Sequence, residues 1–300
     1  MKNFKQLGEK IYDMSNPREV RRCVVFVARC WLNYGRMQRI DRFFHATSLR
    51  AQLADIYPFV YEQPQRAFFY NKSHFEERMR LLAEHFTFLE QRLRPEVLLD
   101  IYREHDQLLW EDEHEGEPLR LVIYYEPGQR KEGLLSVILR LGTRPLYQMI
   151  FWLQKNPYGE WSLYIGAMQG PNMDNAKDVI KKITKQCHAY RTKNLILHAT
   201  QEVARALGVQ HIYAVTNYGY YANNHVRMDR KLKTDFSHFW AESGGTPCED
   251  KRFFELPLQE HRKSYEEIPT RKRATYRKRF ALLDEIDAAI AEQMQALMQG

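Results

Sequence analysis

Two runs, Trp161-Ser162-Leu163-Tyr164-Ile165-Gly166-Ala167-Met168 and His211-Ile212-Tyr213-Ala214-Val215-Thr216, bracket the stretch that decides the fold. Both are rich in aromatic and branched apolar residues, the composition of buried strands. Between them lies a basic segment and then residues 194–207. There Leu195, Leu197, Ala199, Val203, Ala204 and Leu207 follow a helical period, and Gly208 marks the end. Strand, loop, helix, strand is the order of a parallel βαβ crossover.

Upstream, residues 119–125, 134–141 and 146–154 read as three further strands. Pro127-Gly128, Gly142 and Asn156-Pro157-Tyr158-Gly159 supply turn chemistry between them and before Trp161. Short connections make this an antiparallel meander, so the sheet is mixed. Downstream, a helix ending near Ser243-Gly244-Gly245 precedes a strand at 253–257, and residues 269–298 read as one long helix. The N-terminal part reads as helical. Residues 17–36 carry Val20, Val24, Val27, Trp31 and Tyr34 at helical spacing. Further helices are expected at 49–56, at 73–89 with Ser73 as N-cap and Glu76 completing a capping box, and from Pro95 to about Leu109. The expected fold is α+β. A helical region (1–115) is followed by a mixed α/β sheet domain (116–260) and a basic C-terminal helix (261–300) packed on that domain.

Hydrophobic residues make up 44% and charged residues 28% of the 300, which excludes a largely disordered chain. The net charge of +7 is concentrated. Residues 176–193 are net +5, residues 251–279 are net +6, and the remainder is net −4. That distribution favours anionic groups bound at particular places over nucleic acid coated along a whole surface. The four cysteines show no CxxC or zinc spacing, which suits a reducing compartment and predicts no metal. The N-terminal stretch lacks a secretory apolar core and no run is long enough to span a bilayer, so a cytoplasmic protein is expected, with peripheral contact at the inner membrane through its tail.

Three segments carry candidate chemistry. The first runs from Gln169-Gly170 through Lys177, Lys181, Lys182, Lys185, His188, Arg191 and Lys193. A strand end feeding a basic loop and a helix N-terminus is suited to phosphate. The same lysines also fit the solvated face of an amphipathic helix over 176–186. Walker A and dinucleotide fingerprints are absent. The second is Asn217 with Tyr218, Tyr220, Tyr221 and His225, at the carboxyl end of a buried strand, where open α/β sheets place ligands. Tyrosines in such a cluster serve as packing or as proton donors. The third is the tail with Arg271, Lys272, Arg273, Arg277, Lys278 and Arg279, which suits anionic lipid or RNA, or a solvated helix face. Ser136 and Ser162 lie within strands and lack a nucleophile elbow.

The chain resembles the VirK/YbjX family of bacterial envelope-associated proteins. The resemblance rests on His85-Phe86-Thr87-Phe88-Leu89, Leu134-Leu135-Ser136-Val137, Ile165-Gly166-Ala167-Met168-Gln169-Gly170 and Thr184-Lys185 with His188 and Arg191. It continues in Thr216-Asn217 with His225-Val226, Asp235-Phe236-Ser237-His238-Phe239-Trp240, and Arg271-Lys272-Arg273-Ala274-Thr275-Tyr276-Arg277. It implies a role in virulence, envelope integrity and resistance to cationic antimicrobial peptides. The element order also resembles a GNAT acyltransferase core, although the basic loop is longer and lacks that fold's compact glycine signature. That resemblance implies acyl-CoA, or another phosphate-bearing acyl donor, as cofactor. Gln169, Gly170, Lys185, Arg191 and Asn217 would hold the donor. His188 or His225 would be the base, and Tyr220 or Tyr221 the acid for the departing thiolate. The acceptor would be an envelope component or a protein. The alternative is a non-enzymatic envelope-stress factor that binds anionic partners through basic surfaces, without specific nucleic-acid recognition.

Overall fold

The computed structural model describes residues 3–223 and 234–299. It shows a mixed α+β architecture: helices first, then one eight-stranded sheet, then a long C-terminal helix. The first helices are α1 (Phe4–Ile11), α2 (Pro17–Leu32), α3 (Tyr34–Phe44) and α4 (Ser48–Ile56). Two short 3-10 turns, Pro58–Tyr61 and Gln63–Gln65, lead to α5 (Phe75–Arg92) and α6 (Pro95–Tyr102).

Three details differ from the sequence reading. The helix expected over 17–36 breaks at Asn33, whose side-chain amide donates to the Arg29 carbonyl at 3.0 Å and competes for the helix's own acceptor. The N-cap of α5 is His74, whose N–H donates to Glu77 at 2.7 Å, while the Ser73 hydroxyl turns back to the Phe68 carbonyl at 2.7 Å. The helix opened by Pro95 stops at Tyr102. Glu104 then takes a positive φ of 67°, and residues expected to be helical enter β1 (Gln107–His114). The alternation of β1 is weak in sequence because Glu111, Asp112 and Glu113 are all exposed, while Trp110 is buried and donates to Glu285 at 3.2 Å.

The sheet continues through β2 (Glu117–Tyr124), β3 (Leu135–Leu141), β4 (Arg144–Lys155) and β5 (Trp161–Gln169), each antiparallel to its predecessor. After α7 (Ala176–Gln186) and α8 (Thr192–Ala206) the chain enters β6 (His211–Val215), which pairs parallel with β5. Then come α9 (Phe236–Glu242), β7 (Thr246–Pro247), β8 (Phe253–Leu256) and α10 (Thr270–Leu297). The strand order is β1-β2-β3-β4-β5-β6-β8-β7. The expected meander and crossover are therefore both present. Residues 148–154 of β4 are buried without alternation, so both faces are covered; α5 and α8 both pack on this strand.

The long helix α10 buries Leu283, Ile286, Ile290 and Met294 and packs against α8 and β1. Its end is clamped to the α5–α6 junction, where Arg94 N–H donates to Leu297 at 3.1 Å and Gln299 donates to the Leu93 carbonyl at 2.7 Å.

Candidate functional site

The site is built where β5 outruns β6. Parallel pairing extends from Ser162–His211 to Ile165–Ala214 and stops, while β5 continues to Gln169 along β4 alone. The loop before β3 crosses at this point. A Cβ on Gly166 would lie 1.8 Å from the Glu132 carbonyl oxygen, so a bare Cα is what admits the crossing. The Glu132 side chain is buried and accepts hydrogen bonds from the Tyr220 hydroxyl and from Gln169 Nε2 at 2.8 Å. Gln129 in turn donates to Gln169 Oε1 at 2.8 Å.

Burial pushes the Glu132 carboxyl above its ordinary value, against the pull of the Tyr220 and Gln169 hydrogen bonds and of Lys131. Burial and the neighbouring carboxylate also push the Tyr220 hydroxyl up, which makes it a poor acid and a firm hydrogen-bond donor. The N-terminal region is laced across the same place. Phe69 N–H donates to Lys131 at 2.7 Å, Asn71 N–H donates to Gly219 at 2.8 Å, and Tyr70 bridges to Tyr220. Glu132 and Tyr220 therefore occupy the end of the β5–β6 seam.

The residues expected to act together divide into groups. Gln169 and Tyr220 meet at Glu132. Tyr221 sits against Tyr220 with ring centroids 4.9 Å apart. Lys185 and His188 lie elsewhere, in a groove of about 510 Å³ between α7 and α10 that they share with Lys181 and Lys278. The loop and tail charges, separate in sequence, come together there. Arg279 also reaches back to the His188 carbonyl at 3.0 Å. Arg191 is exposed at the N-cap of α8, and Gly170 is exposed beside the Tyr147 ring. The Asn217 amide is occupied structurally: Oδ1 accepts from Phe236 N–H at 2.8 Å and Nδ2 donates to Asp235 at 2.8 Å, holding the start of α9. Its side-chain groups are thus engaged where donor binding was expected. His225 lies outside the described residues.

A larger feature escaped the sequence reading. A cleft of about 850 Å³ opens beside Tyr221 and Phe68. From α2 it takes Arg18, Arg21, Arg22 and Arg29; from other segments it takes Arg66, Arg130 and Lys131. Glu62 is the single carboxylate among its described lining residues, and it is buried and engaged. Tyr12 donates to Glu62 at 2.7 Å, and Arg130 and Arg66 approach it at 3.2 and 3.4 Å. Burial works against the charge on Arg130, but Glu62 outweighs it and the guanidinium is held charged over the Phe59 ring at 4.2 Å. Arg22 pairs with Glu19 on its own helix, whereas Arg18, Arg21 and Arg29 have no carboxylate partner among the described residues. Five chain segments converge here, so no local motif reveals the cleft. The one local signal is the set of arginines at 18, 22 and 29 on one side of α2.

One cluster has the donor set for a metal. His198, Glu202 and Asp287 bring ligand atoms within 4.8 Å of one another. Arg205 already pairs with Glu202, Arg262 pairs with Asp287 at 3.2 Å, and His198 Nε2 lies 2.6 Å from Asp287. The arrangement works as an ionic tie between α8 and α10.

A family model described as "Protein of unknown function (DUF535)" matches residues 15–292, and the chain belongs to that family. The protein YbjX of Escherichia coli K12 is 32% identical over 62% of this chain and 55% of its own length, which bears out the VirK/YbjX resemblance. An uncharacterized Haemophilus influenzae protein is 27% identical over 89% of this chain and 87% of its own. The "Membrane protein LapB" of Mannheimia haemolytica is 24% identical over 62% of this chain and 79% of its own. A solved protein of unknown function from Aquifex aeolicus VF5 aligns with 62% of this chain and 93% of its own at 14% identity, with a TM-score of 0.21 that is too low to bear on the fold.

Proposed function

We propose that this chain binds a phosphate-bearing component of the bacterial envelope in the arginine-lined cleft and so supports envelope integrity. The observation that carries this reading is the seven-to-one excess of cationic over acidic side chains among the described residues lining an 850 Å³ cleft, the one acid there, Glu62, being already paired. Arginine forks match phosphate oxygens, and Phe68 and Tyr221 give an attached apolar group a place to lie. The family setting supports an envelope role, and the membrane protein name of the LapB relative agrees with it. The protein would act on the cytoplasmic side of the inner membrane. Calorimetric titration with inorganic pyrophosphate and with dihexanoyl phosphatidic acid tests this reading. Binding of either that weakens with salt and is lost in Arg18→Glu/Arg29→Glu supports it. No binding by the folded protein withdraws it.

A second reading, transfer of an acyl or aminoacyl group from a thioester donor, is favoured by one observation: Tyr221 lines the cleft and abuts the Tyr220–Glu132–Gln169 cluster. The acceptor amine or hydroxyl would attack the thioester carbonyl and lose its proton to His225, because His188 lies in the α7–α10 groove and not in the cleft. The carbon–sulfur bond would break, and the thiolate would take its proton from a tyrosine. Titration with acetyl-CoA and with a long-chain acyl-CoA tests it, and no heat with either sets the reading aside.

A further inference from the structure

We infer that α2 is a membrane-docking helix that lays the protein on an anionic lipid bilayer. This observation is separate from the cleft, although the two are neighbours. The helix turns Cys23, Phe26 and Cys30 inward. Its outer face carries apolar groups that a soluble helix would keep covered: Leu32 is 84% exposed, Val24 63%, Trp31 54% and Val25 41%. Their spacing puts all four on the solvent side of one helix, with Trp31 stacked on Tyr34 at 6.2 Å.

The arginines fill the rest of that outer face. Arg18, Arg22 and Arg29 follow the apolar strip on the side toward the cleft, and Arg21 lies within it. Glu19 is the acid on this helix and is paired with Arg22. An apolar strip with an exposed tryptophan, bordered by arginines of which Arg18 and Arg29 have no carboxylate partner among the described residues, is the pattern of a helix lying in a membrane interface. Charge complementarity chooses the partner: arginine-rich borders repel a basic protein surface and are drawn to anionic headgroups, each contributing about a factor of five in partitioning. No helix among the described residues is long and apolar enough to cross a membrane, so docking would be peripheral. In this pose the mouth of the cleft faces the headgroups. The basic tail, where lipid contact is expected from the sequence, lies on α10.

Vesicle co-sedimentation tests the inference. Wild type should pellet with phosphatidylglycerol vesicles and stay in solution with phosphatidylcholine vesicles. Trp31 emission should shift to the blue on binding, and Trp31→Phe should remove the shift. Val24→Asp/Leu32→Asp should lower phosphatidylglycerol partitioning by about tenfold or more for each apolar group withdrawn. Both positions are exposed, so an unchanged thermal melt confirms that the variant folds. The double variant should still bind pyrophosphate as wild type does. A failure of pyrophosphate binding in wild type therefore counts against the cleft reading alone, and the vesicle result stands apart from it. Equal partitioning onto both lipids, no partitioning, or an unaffected double variant would overturn the inference. So would a wild-type dimer without lipid that becomes monomeric in the double variant, because a second copy would then cover the strip.

Discussion

The Tyr220 hydroxyl donates to the buried carboxylate of Glu132, joining the segment after β6 to the loop before β3, 88 residues away. This one bond seals the far end of the β5–β6 seam and sets the back wall of the arginine cleft through Tyr221. Burial raises the Glu132 carboxyl, so the stability it contributes is present below its unfolded value and is lost as pH rises through the raised folded value.

Glu132→Gln keeps the shape and a carbonyl acceptor but removes that titration. Its melting temperature should gain on wild type as pH rises from about 5 to about 8, measured by calorimetric scans. Glu132→Ala leaves Tyr220 and Gln169 without their acceptor and should cost about 2–4 kcal/mol. Equal pH profiles for wild type and Glu132→Gln would show that the carboxylate is not held as described.

Gly166→Ala probes the same crossing from the other side. Its Cβ would lie 1.8 Å from backbone, which no rotamer change relieves. A loss of about 3 kcal/mol or more in denaturant midpoint analysis is expected, or a failure to fold. A near-neutral result would mean that the loop does not cross there.

His198 should give a contrast of the same sign, at the tie between α8 and α10. Burial pulls this imidazole down, but the Asp287 and Glu260 carboxylates outweigh it, and the net shift is up. Its stabilisation is therefore complete below the ordinary imidazole value and fades as pH rises through the folded one. Wild type should lose stability through this tie as pH rises above the ordinary imidazole range. Asp287→Asn should be destabilised overall and flatter across that window, as read by urea midpoints.

The cleft and the α7–α10 groove are separable. Arg18→Glu/Arg29→Glu should weaken pyrophosphate binding about tenfold or more while changing stability by only about 0.5 kcal/mol, since both side chains are exposed. Lys185→Ala should leave that affinity unchanged. If Lys185→Ala alone abolishes binding, the groove is the anion site and the cleft is not. Charge reversal at Arg271, Lys272 and Arg273 reports on the tail by the same titration.

Strand order was legible because periodicity and turn residues are local. Residues 161–168 and 211–216 read as parallel partners from a helix and Gly208 between them, and β5 and β6 pair that way. β1 was not legible, because it buries only part of one side and its acids face solvent. The site was legible in pieces. Gln169, Tyr220 and Tyr221 stood out at strand ends, and the structure brings Gln169 and Tyr220 together at Glu132, with Tyr221 against Tyr220; Glu132 carried no signal because burial, not spacing, makes it special.

By itself, the sequence determined the mixed sheet, the helical N-terminal region, the long basic C-terminal helix and two concentrations of charge. Only the tertiary structure decided where charge is opposed and where it is not. It joined the loop and the tail in one groove, and it set the arginines of α2 beside Arg66, Arg130 and Lys131. The physical reason is range. Hydrogen-bond ladders and apolar periodicity act between near neighbours along the chain, whereas electrostatic fields depend on distance in space, which packing alone assigns.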